Sequence, residues 1–284
     1  MSAGTLYVVA TPLGNLEDIT LRALRILREA DLVAAEDTRR TKTLLAHHGI
    51  NTPLTSLHEH NEAKKSGVLI PRLLRGETIA YVSDAGTPGI SDPGALLVRE
   101  AVTHGIAVYP VPGPSAVTAA ISVAGFPVDS FVFHGFLPTR AKQRRSALAT
   151  LKDETRPMVF FESPHRCVAT LTDMRDVVGD RSIVVFRELT KVFEEHLRGT
   201  ISDIISILSE RTVKGEFCVV LEGKKGDPPV VDAAALRLRF DELRGTTDLS
   251  VKDCIIEIAG HFAVPRKEVY REITAYRKEK GNDR

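Results

Sequence analysis

The sequence predicts an α/β fold of two domains followed by a helical segment, and three observations support this class. Short runs rich in β-branched residues alternate with stretches whose apolar residues recur at helical spacing, a pattern typical of parallel sheets covered by helices. The length of 284 residues corresponds to about two domains. Glycine- and proline-rich loops follow several predicted strands, which is where open α/β sheets bind their ligands.

The first domain is predicted to span residues 1–118. Its strands are the short apolar runs at residues 6–10, 31–35, 53–57, 78–82 and 107–109. Helical periodicity separates them, most clearly at residues 62–74. Asp92 followed by Pro93 is predicted to cap the helix after the fourth strand, since aspartate and then proline are common at helix starts.

The second domain is predicted to span residues 119–225. Strands are expected at residues 131–134, 158–162, 182–186, 195–200 and 217–221, with helices near 144–151, 166–177 and 201–211. The later strands are so closely spaced that the sheet is predicted to be mixed. Residues 223–229 are rich in glycine, proline and charge and are predicted to form a linker.

Residues 230–284 are predicted to be helical. Ser250 and Asp253 have capping-box spacing, and Pro265 is placed to start a second helix. The pair resembles a helix-turn-helix. Its second helix carries Arg266, Lys267, Arg271, Arg277 and Lys278. Contact with nucleic acid and a role in packing alone are both open, and the packing role is favoured.

Composition places the chain among ordinary globular proteins, with 43% hydrophobic residues and a formal net charge of +1. A charge so close to zero gives no signature of a nucleic-acid binder, so any such contact must come from local patches. The cysteines are Cys167, Cys218 and Cys254, which lack metal-ligand spacing and indicate a reducing compartment. We expect no metal, no signal peptide, no membrane span and a cytoplasmic location.

Three loops at strand ends are the candidate ligand site. Loop 1 covers residues 11–15, loop 2 residues 83–94 and loop 3 residues 112–115. Because they follow strands of one predicted parallel sheet, they are expected to converge on one crevice. Neither G-x-G-x-x-G nor G-x-x-x-x-G-K-[ST] occurs, so the sequence supports neither a dinucleotide fingerprint nor a phosphate-binding P-loop.

Six motifs in order give the chain a family resemblance: VATPLGNLEDIT, AEDTR, VSDAGTPGISDPG, VPGPSA, FFESPHR and RELTK. The set resembles the tetrapyrrole methylase superfamily and, within it, the cytidine 2′-O-methyltransferases of small-subunit ribosomal RNA. Loop 1 reads TPLGN, where corrin-ring methylases of the superfamily usually carry G-x-G-x-G-D. This difference favours RNA over a tetrapyrrole as substrate.

The resemblance implies a two-domain, class III methyltransferase fold that holds S-adenosylmethionine in a cleft between domains. It also implies a homodimer that modifies the 16S rRNA of the small ribosomal subunit in its decoding region. The cofactor contacts carried over from the motifs are Leu13, Asp84, Ala85, Gly86, Gly89, Ser115, Ala116, Glu162 and Gly223. Small residues in such loops expose backbone groups, and a carboxylate can bind an ammonium or a ribose hydroxyl.

Removal of a proton from the ribose hydroxyl requires a base, for which Glu162 and His165 are the leading candidates, with Asp37 and His58 as further ones. Ser163 is predicted to cap a helix that starts at Pro164, which turns His165 and Arg166 toward the cleft. The basic run at residues 140–145 supplies half of the predicted RNA contacts. The full set is Arg39, Asn61, Arg140, Lys142, Arg144, Arg145, Arg166 and Lys191, with Arg40 and Arg187 as secondary candidates.

Two other functions remain open on the sequence. One is methylation of a tetrapyrrole ring on the same fold. The other is a non-catalytic RNA-binding or assembly factor that retains a cofactor pocket. The basic run at residues 140–145 and the C-terminal helices count against the first, and the intact small-residue loops count against the second.

Overall fold

Two five-stranded sheets organise the larger of two compact units. The chain divides into Met1–Lys224 and Lys225–Arg284. A computed structural model describes residues 3–212, 214–225, 232–262 and 264–281. Most of the predicted linker at residues 223–229 therefore lies outside the described residues.

The first sheet is entirely parallel, and the sequence predicts a mostly parallel one. Its strands are β1 (Thr5–Val9), β2 (Leu32–Ala35), β3 (Leu54–Ser56), β4 (Ile79–Val82) and β5 (Ala107–Val111), in the order β3-β2-β4-β1-β5. Strands β2 and β4 are buried on both faces, which explains their uninterrupted apolar sequences. Because β1, β4 and β5 lie side by side, the three loops that follow them leave the same edge of the sheet.

Five helices accompany this sheet: α1 (Leu21–Glu29), α2 (Thr38–His47), α3 (Glu62–Leu74), α4 (Ala95–Thr103) and α5 (Ala116–Val123). Thr20 caps α1, and Asp37 caps α2 by accepting a hydrogen bond from the Arg39 amide. Apolar residues of both helices pack against β1, β2 and β4.

The predicted cap of α4 by Asp92 is wrong. The helix starts at Ala95, and its N-cap is Gly94, whose φ of +112° favours glycine. The Glu62 carboxylate of α3 accepts hydrogen bonds from the amides of Gly94, Leu96 and Leu97, at 3.0, 2.8 and 3.3 Å. A neighbouring helix thus satisfies the free N–H groups of α4, and Asp92 is left for another role.

The second sheet is mixed, also as predicted. It contains β6 (Val132–Phe136), β7 (Met158–Glu162), β8 (Ser182–Arg187), β9 (Glu195–Thr200) and β10 (Phe217–Leu221), in the order β6-β7-β10-β8-β9. Only the β6–β7 pair is parallel among the described pairings. Helices α6 (Ala141–Ala149), α7 (Cys167–Val178) and α8 (Ile201–Ser209) cover one face.

Helix α5 covers the other face of the second sheet. Its Val117, Ala120 and Ile121 pack with Val184 of β8 and Val220 of β10. The domain boundary predicted between residues 118 and 119 falls inside this helix. The N-terminus of α5, which directly follows loop 3, thereby brings that loop next to the second sheet.

The smaller unit contains three helices among its described residues: α9 (Ala233–Thr246), α10 (Val251–His261) and α11 (Arg266–Gly281). The last two match the predicted helix pair, whereas α9 falls in the segment predicted to be helical without a separate prediction of its own bounds. Leu236 and Phe240 of α9 join Ile258 and Ile273 in the core of the unit. The predicted cap is confirmed, since the Ser250 hydroxyl accepts a hydrogen bond from the Asp253 amide at 3.2 Å. None of the helices described in either unit combines the length and the apolar character needed to span a bilayer.

Candidate active site

The three loops are joined by hydrogen bonds in a way that sequence spacing does not reveal. Thr11 and Gly86 exchange two backbone hydrogen bonds of 2.9 Å each, and Gly86 has a φ of +79°. The buried Thr11 hydroxyl donates to the Ser83 carbonyl, which ties loop 1 to loop 2. The Thr87 hydroxyl donates to the Pro114 carbonyl, which ties loop 2 to loop 3. The predicted convergence of the loops is therefore a fixed arrangement rather than a chance proximity.

A cavity of about 380 Å³ lies between these loops and the second sheet, a size within the usual range for small-molecule sites. Its lining brings together most of the residues predicted to bind a cofactor, namely Leu13, Asp84, Ala85, Gly86, Ser115, Ala116 and Glu162. Gly89 does not line it and lies instead in a separate groove with Pro88 and Gly94.

Gly223 also lies outside the cavity lining. Its backbone passes so close to the Thr155 carbonyl that a Cβ on residue 223 would be 1.9 Å from that oxygen. A glycine is needed there for chain packing, and this contact explains its presence without a ligand. The structure thus gives Gly223 a packing role and no place in the cavity lining, and its contact with the cofactor stays a prediction.

Most of the charged residues that line the cavity are acidic. Its lining carries Glu36, Asp84, Asp92, Glu162 and Glu216, and Arg40 is the one cationic residue among the described lining residues. Such a lining disfavours a ligand held by phosphates and suits a ligand that carries positive charge.

The Asp84 carboxylate connects loop 2 to the residues that follow β2. Its Oδ1 accepts a hydrogen bond of 2.9 Å from the Asp37 amide, and its Oδ2 is 3.5 Å from the Arg40 guanidinium. Its own amide donates to the Glu36 carboxylate at 3.2 Å. Burial, with a further contribution from the Asp84 charge, raises the pKa of Glu36. Loop 2 and the end of β2 therefore hold two carboxylates close together at the cavity wall.

Asp92 is the third carboxylate of this wall. Burial and then the nearby Glu36 charge raise its pKa to about 6. The preceding residue, Ser91, has a φ of +61°, a left-handed conformation that is energetically costly outside glycine. Backbone strain of this kind is common at functional sites, and here it adjoins a carboxylate that lines the cavity.

Aromatic side chains form the opposite part of the lining. Phe136 and Phe161 belong to β6 and β7, and their ring centroids are 5.7 Å apart. Phe136 is 55% exposed although it lines the cavity, so its ring is available at the opening.

Cys218 also lines the cavity, but burial raises the pKa of its thiol to about 12. The protonated thiol is a poor nucleophile at neutral pH.

Glu162 lines the cavity with a carboxylate that is already engaged. Its Oε1 accepts hydrogen bonds from the Ser163 amide at 2.7 Å and from Arg166 Nη2 at 2.6 Å, and its Oε2 accepts from the Thr170 hydroxyl at 2.6 Å. The side chain is almost completely buried. These partners occupy the carboxylate oxygens and hold the side chain in place, which makes Glu162 a weak candidate for proton transfer.

His165 and the predicted helix start require correction. Helix α7 starts at Cys167 rather than at Pro164, and Arg166 is its N-cap. The Ser163 hydroxyl contacts Glu162 and Arg166 instead of capping the helix. His165 is exposed and is not among the residues that line the cavity.

The further base candidates are also engaged elsewhere. Hydrogen bonds from Arg39 hold the pKa of Asp37 well below its ordinary value. His58 contacts the Asn61 side chain at 2.9 Å and does not line the cavity. Neither Asp37 nor His58 lines the cavity, and the lowered pKa of Asp37 makes it a weak base.

The basic run at residues 140–145 separates into exposed and buried side chains. Arg140 and Lys142 are exposed, and no acidic partner is found for either within the described residues. Arg145 is about half exposed and pairs with Asp173 at 2.6 Å. Arg144 is buried, and its Nε donates to the same Asp173 carboxylate at 2.8 Å. The prediction that Arg144 contacts RNA is wrong, because the α6–α7 packing encloses its guanidinium.

The remaining predicted RNA residues are each engaged by a neighbour. Arg39 is highly exposed and pairs with the Asp37 carboxylate at 2.7 Å. The Asn61 side chain is held within its own turn by Ser56 and His58. Arg166 pairs with Glu162 as described, and Lys191 pairs with Glu188 and Glu216. Of these side chains, Arg39 is the one whose guanidinium is most open to a ligand.

Glu36, Asp92 and Phe136 are three of the lining residues that the sequence did not assign to the site. Glu36 directly follows β2, so the rule that placed the three loops could also have found it. Asp92 was assigned to a helix cap. Phe136 gives no local signal, since its place at the cavity depends on how the two sheets meet.

No group of three or more His, Cys, Asp or Glu side chains suitable for a metal ion is found in the part of the chain that the structure describes. The fold and the cavity define an α/β protein that binds a small molecule between two sheets. The family model of the Tetrapyrrole (Corrin/Porphyrin) Methylases matches residues 5–205, and the chain belongs to this family. The predicted superfamily and fold class are confirmed.

Within the family, the chain is similar to proteins named Ribosomal RNA small subunit methyltransferase I. The protein of Halalkalibacterium halodurans is 48% identical over 270 residues, which cover 94% of this chain and 93% of that protein. The protein of Thermotoga maritima is 51% identical over 222 residues, which cover 78% of this chain and 100% of that protein. The predicted resemblance to small-subunit ribosomal RNA methyltransferases is confirmed.

Solved structures of tetrapyrrole methylases share the fold at low sequence identity. A cobalt precorrin-4 methyltransferase superposes with a TM-score of 0.59 at 19% identity, covering 77% of this chain and 94% of that chain. Uroporphyrin-III C-methyltransferase from Thermus thermophilus, complexed with S-adenosyl homocysteine, superposes with a TM-score of 0.57 at 17% identity, covering 77% and 97%.

Proposed function

We propose that this protein transfers a methyl group from S-adenosylmethionine to the 2′-hydroxyl of a cytidine in small-subunit 16S ribosomal RNA. The observation that carries the proposal is the acidic cavity built by three joined loops, in a chain about half identical to small subunit ribosomal RNA methyltransferases over most of its length. The methylase family supports the reaction class, and the similarity to small subunit ribosomal RNA methyltransferases supports the substrate.

The cavity fits S-adenosylmethionine in charge and in the groups it offers. Glu36, Asp84 and Asp92 can accept hydrogen bonds from an ammonium group or from ribose hydroxyls and offset positive charge. Leu13 and Gly86 form a close-packed part of the lining, where a Cβ on residue 86 would be 3.2 Å from Leu13 Cδ2. When bound, this cofactor supplies an electrophilic methyl group on a sulfonium centre.

We assign the uptake of the ribose proton to Asp92. The proton that the 2′-hydroxyl loses as its oxygen is methylated passes to the Asp92 carboxylate. Asp92 lines the cavity and, among the candidates, is the one whose pKa of about 6 leaves it mostly ionised at neutral pH yet still basic enough to accept a proton. Glu162 is held by its hydrogen-bond partners, and we propose that it fixes Arg166 and the wall of the cavity.

Correct placement of the reacting groups contributes as much as the base does. Well-oriented reactants can lower a barrier by about 7–11 kcal/mol, whereas a positioned base contributes about 10²–10⁴-fold in rate. The hydrogen bonds between loops 1, 2 and 3 contribute to the placement of the reactants, because they fix the cavity before any ligand enters.

Exposed cations outside the cavity are proposed to contact RNA phosphates. Arg140 and Lys142 at the start of α6 are exposed, and Arg39 is exposed beside the cavity residue Arg40. Phosphate contacts position an RNA without specifying its sequence, so the target nucleotide has to be presented unstacked. The cytoplasmic location and the homodimer belong to this proposal; the location rests on the scattered cysteines, which indicate a reducing compartment, and the homodimer rests on the family resemblance.

The experiment is a transfer assay with a labelled methyl group. The protein is incubated with S-adenosylmethionine labelled on the methyl group and, in parallel, with assembled small subunits, free 16S rRNA and a corrin precursor. We expect label in the RNA, and digestion to nucleosides followed by mass spectrometry should place it on a cytidine ribose oxygen.

Each other result has a defined meaning. Label only in the corrin precursor would make the protein a tetrapyrrole methylase. RNA binding without transfer to any of the three substrates would support a non-catalytic factor. Label on a base atom would confirm RNA as the substrate but would overturn the proposal that the ribose 2′-hydroxyl is methylated.

A further inference from the structure

Helix α11 carries a face whose charge is entirely positive. With about 3.6 residues per turn, Arg266, Lys267, Arg271, Arg277 and Lys278 lie within an arc of about 140° around the helix. All five side chains are exposed. The arc contains no acidic residue, and it extends about 18 Å along the helix axis. We call these five residues together with Tyr270 the α11 basic face.

The acidic residues of α11 lie on a different side. Glu272 and Glu279 pair with Arg237 of α9 at 2.7 and 3.1 Å, and Lys280 pairs with Asp241 of α9 at 2.7 Å. These pairs, together with the buried Val269 and Ile273, attach α11 to its own unit. None of the five cations of the α11 basic face has an acidic partner within the described residues, so packing of the unit does not explain them.

Tyr270 lies within the same arc and is 60% exposed. A large aromatic ring between cations, rather than in the core, is the arrangement found where proteins hold single-stranded nucleic acid. There, bases stack on exposed rings while lysine and arginine side chains contact the phosphates. The α11 basic face thus combines positive charge with an exposed aromatic ring, and both suit RNA. Another anionic partner would account for the charge but not for the ring.

We propose that the α11 basic face is a second RNA-binding surface, which grips a single-stranded or loop segment of ribosomal RNA. Lys267, Arg271 and Lys278 contact successive phosphates, and Tyr270 stacks on an unpaired base. The choice of ribosomal RNA rests on the proposed function. The assignment of an RNA-binding surface rests on α11 alone. It accounts for the five cations and Tyr270 on one face of the helix, which a packing role leaves unexplained.

The test compares RNA binding by the full-length protein and a triple variant, Lys267→Gln, Arg271→Gln and Lys278→Gln. The probe is a 16S rRNA transcript, and its dissociation constant is measured over a range of salt concentrations. Loss of three phosphate contacts should reduce the slope of log K against log salt by about 2 for single-stranded RNA. At physiological salt we expect the affinity to fall at least about tenfold.

Two matched variants separate charge from other effects. The swap Lys267→Arg, Arg271→Lys and Lys278→Arg keeps every charge and should retain affinity and slope. Tyr270→Ala should lower the affinity about tenfold without changing the slope, because a stacked ring carries no charge. Thermal melting and S-adenosylmethionine binding confirm that each variant is folded.

The proposal is overturned if the glutamine variant binds RNA with the affinity and slope of the parent protein, or if the charge-preserving swap loses as much. Unchanged RNA binding with lost binding to anionic phospholipid vesicles would assign the face to a membrane surface instead. The transfer assay is a separate result. If the parent protein labels no RNA but the glutamine variant still loses RNA affinity, the proposed function fails and the RNA surface stands.

Discussion

Replacement of Asp92 by asparagine should lower activity and raise stability at the same time. Asparagine keeps the shape of the side chain and removes both the charge and the ability to take up a proton. Since Asp92 lines the cavity and caps no helix, its charge is not needed for the local fold. A residue with a purely structural role would give the opposite effect on stability.

The size of the activity loss follows from the role of a positioned base. We expect the rate to fall by about 10²–10⁴-fold at neutral pH. A carboxyl with a pKa of about 6 is ionised in about one molecule in ten at pH 5 and about nine in ten at pH 7. The parent rate should therefore rise through pH 6 and level off above it, whereas the residual rate of the variant should lack this step.

The effect on stability depends on pH in a direction fixed by the raised pKa. Below about pH 3 the carboxyl is protonated in both the folded and the unfolded state, so it does not penalise folding. As the pH rises through 6, the folded protein must ionise a partly buried group beside Glu36, and stability is lost. The variant should therefore melt at a higher temperature than the parent at pH 7.5, and this advantage should shrink as the pH falls through 6 and disappear near pH 3.

The assay uses initial rates at low concentrations of both substrates, where the pH profile reports the free enzyme, together with thermal melts at the same pH values. Asp84→Asn is the matched control, because it removes a neighbouring charge that is paired with Arg40. If the Asp92 variant retains activity within about threefold, or keeps the step near pH 6, the assignment of the base is refuted. A lower melting temperature at pH 7.5 would refute the electrostatic argument.

Four further outcomes follow from the contacts. Asp84→Ala should weaken S-adenosylmethionine binding by about 10- to 100-fold in calorimetry, since it removes a charged acceptor from the cavity wall. Arg144→Ala should cost about 3 kcal/mol of unfolding free energy in urea titrations, because it leaves a buried carboxylate short of a partner. Glu62→Gln should cost about 1 kcal/mol in the same titration through a weaker cap on α4. Arg140→Gln with Lys142→Gln should lower RNA affinity and its salt dependence without a change in melting temperature, and an unchanged salt slope would exclude phosphate contact by these side chains.

Local patterns predicted most of this fold, because strands and helices are encoded within a few residues. The parallel first sheet, the mixed second sheet and the Ser250 cap all follow from spacing that a short window contains. Helix α9 lies in the segment predicted to be helical, and its Leu236, Phe240 and Leu243 recur at the helical spacing that defines its buried face.

The part of the site built by the loops that follow strands was predicted from the sequence. The wrong assignments concern side chains whose partners are distant in sequence. Asp92 resembles a cap until Glu62, thirty residues earlier, is seen to occupy the helix start. Arg144 resembles its exposed neighbours until α7 places Asp173 beside it. In each case the local pattern was compatible with two roles, and only tertiary packing decided between them.

The net charge of +1 conceals the separation of charge on which the proposed function depends. Acidic residues are concentrated in the cavity lining, where they suit a cationic cofactor and would repel an RNA phosphate. Exposed cations are concentrated on α11 and at the start of α6, where they suit the RNA backbone. An enzyme that joins a cationic cofactor to a polyanion benefits from this division, because each ligand is drawn to its own surface. We therefore expect high salt to weaken RNA binding strongly and cofactor binding weakly, since the exposed charges are screened and those in the cavity are not.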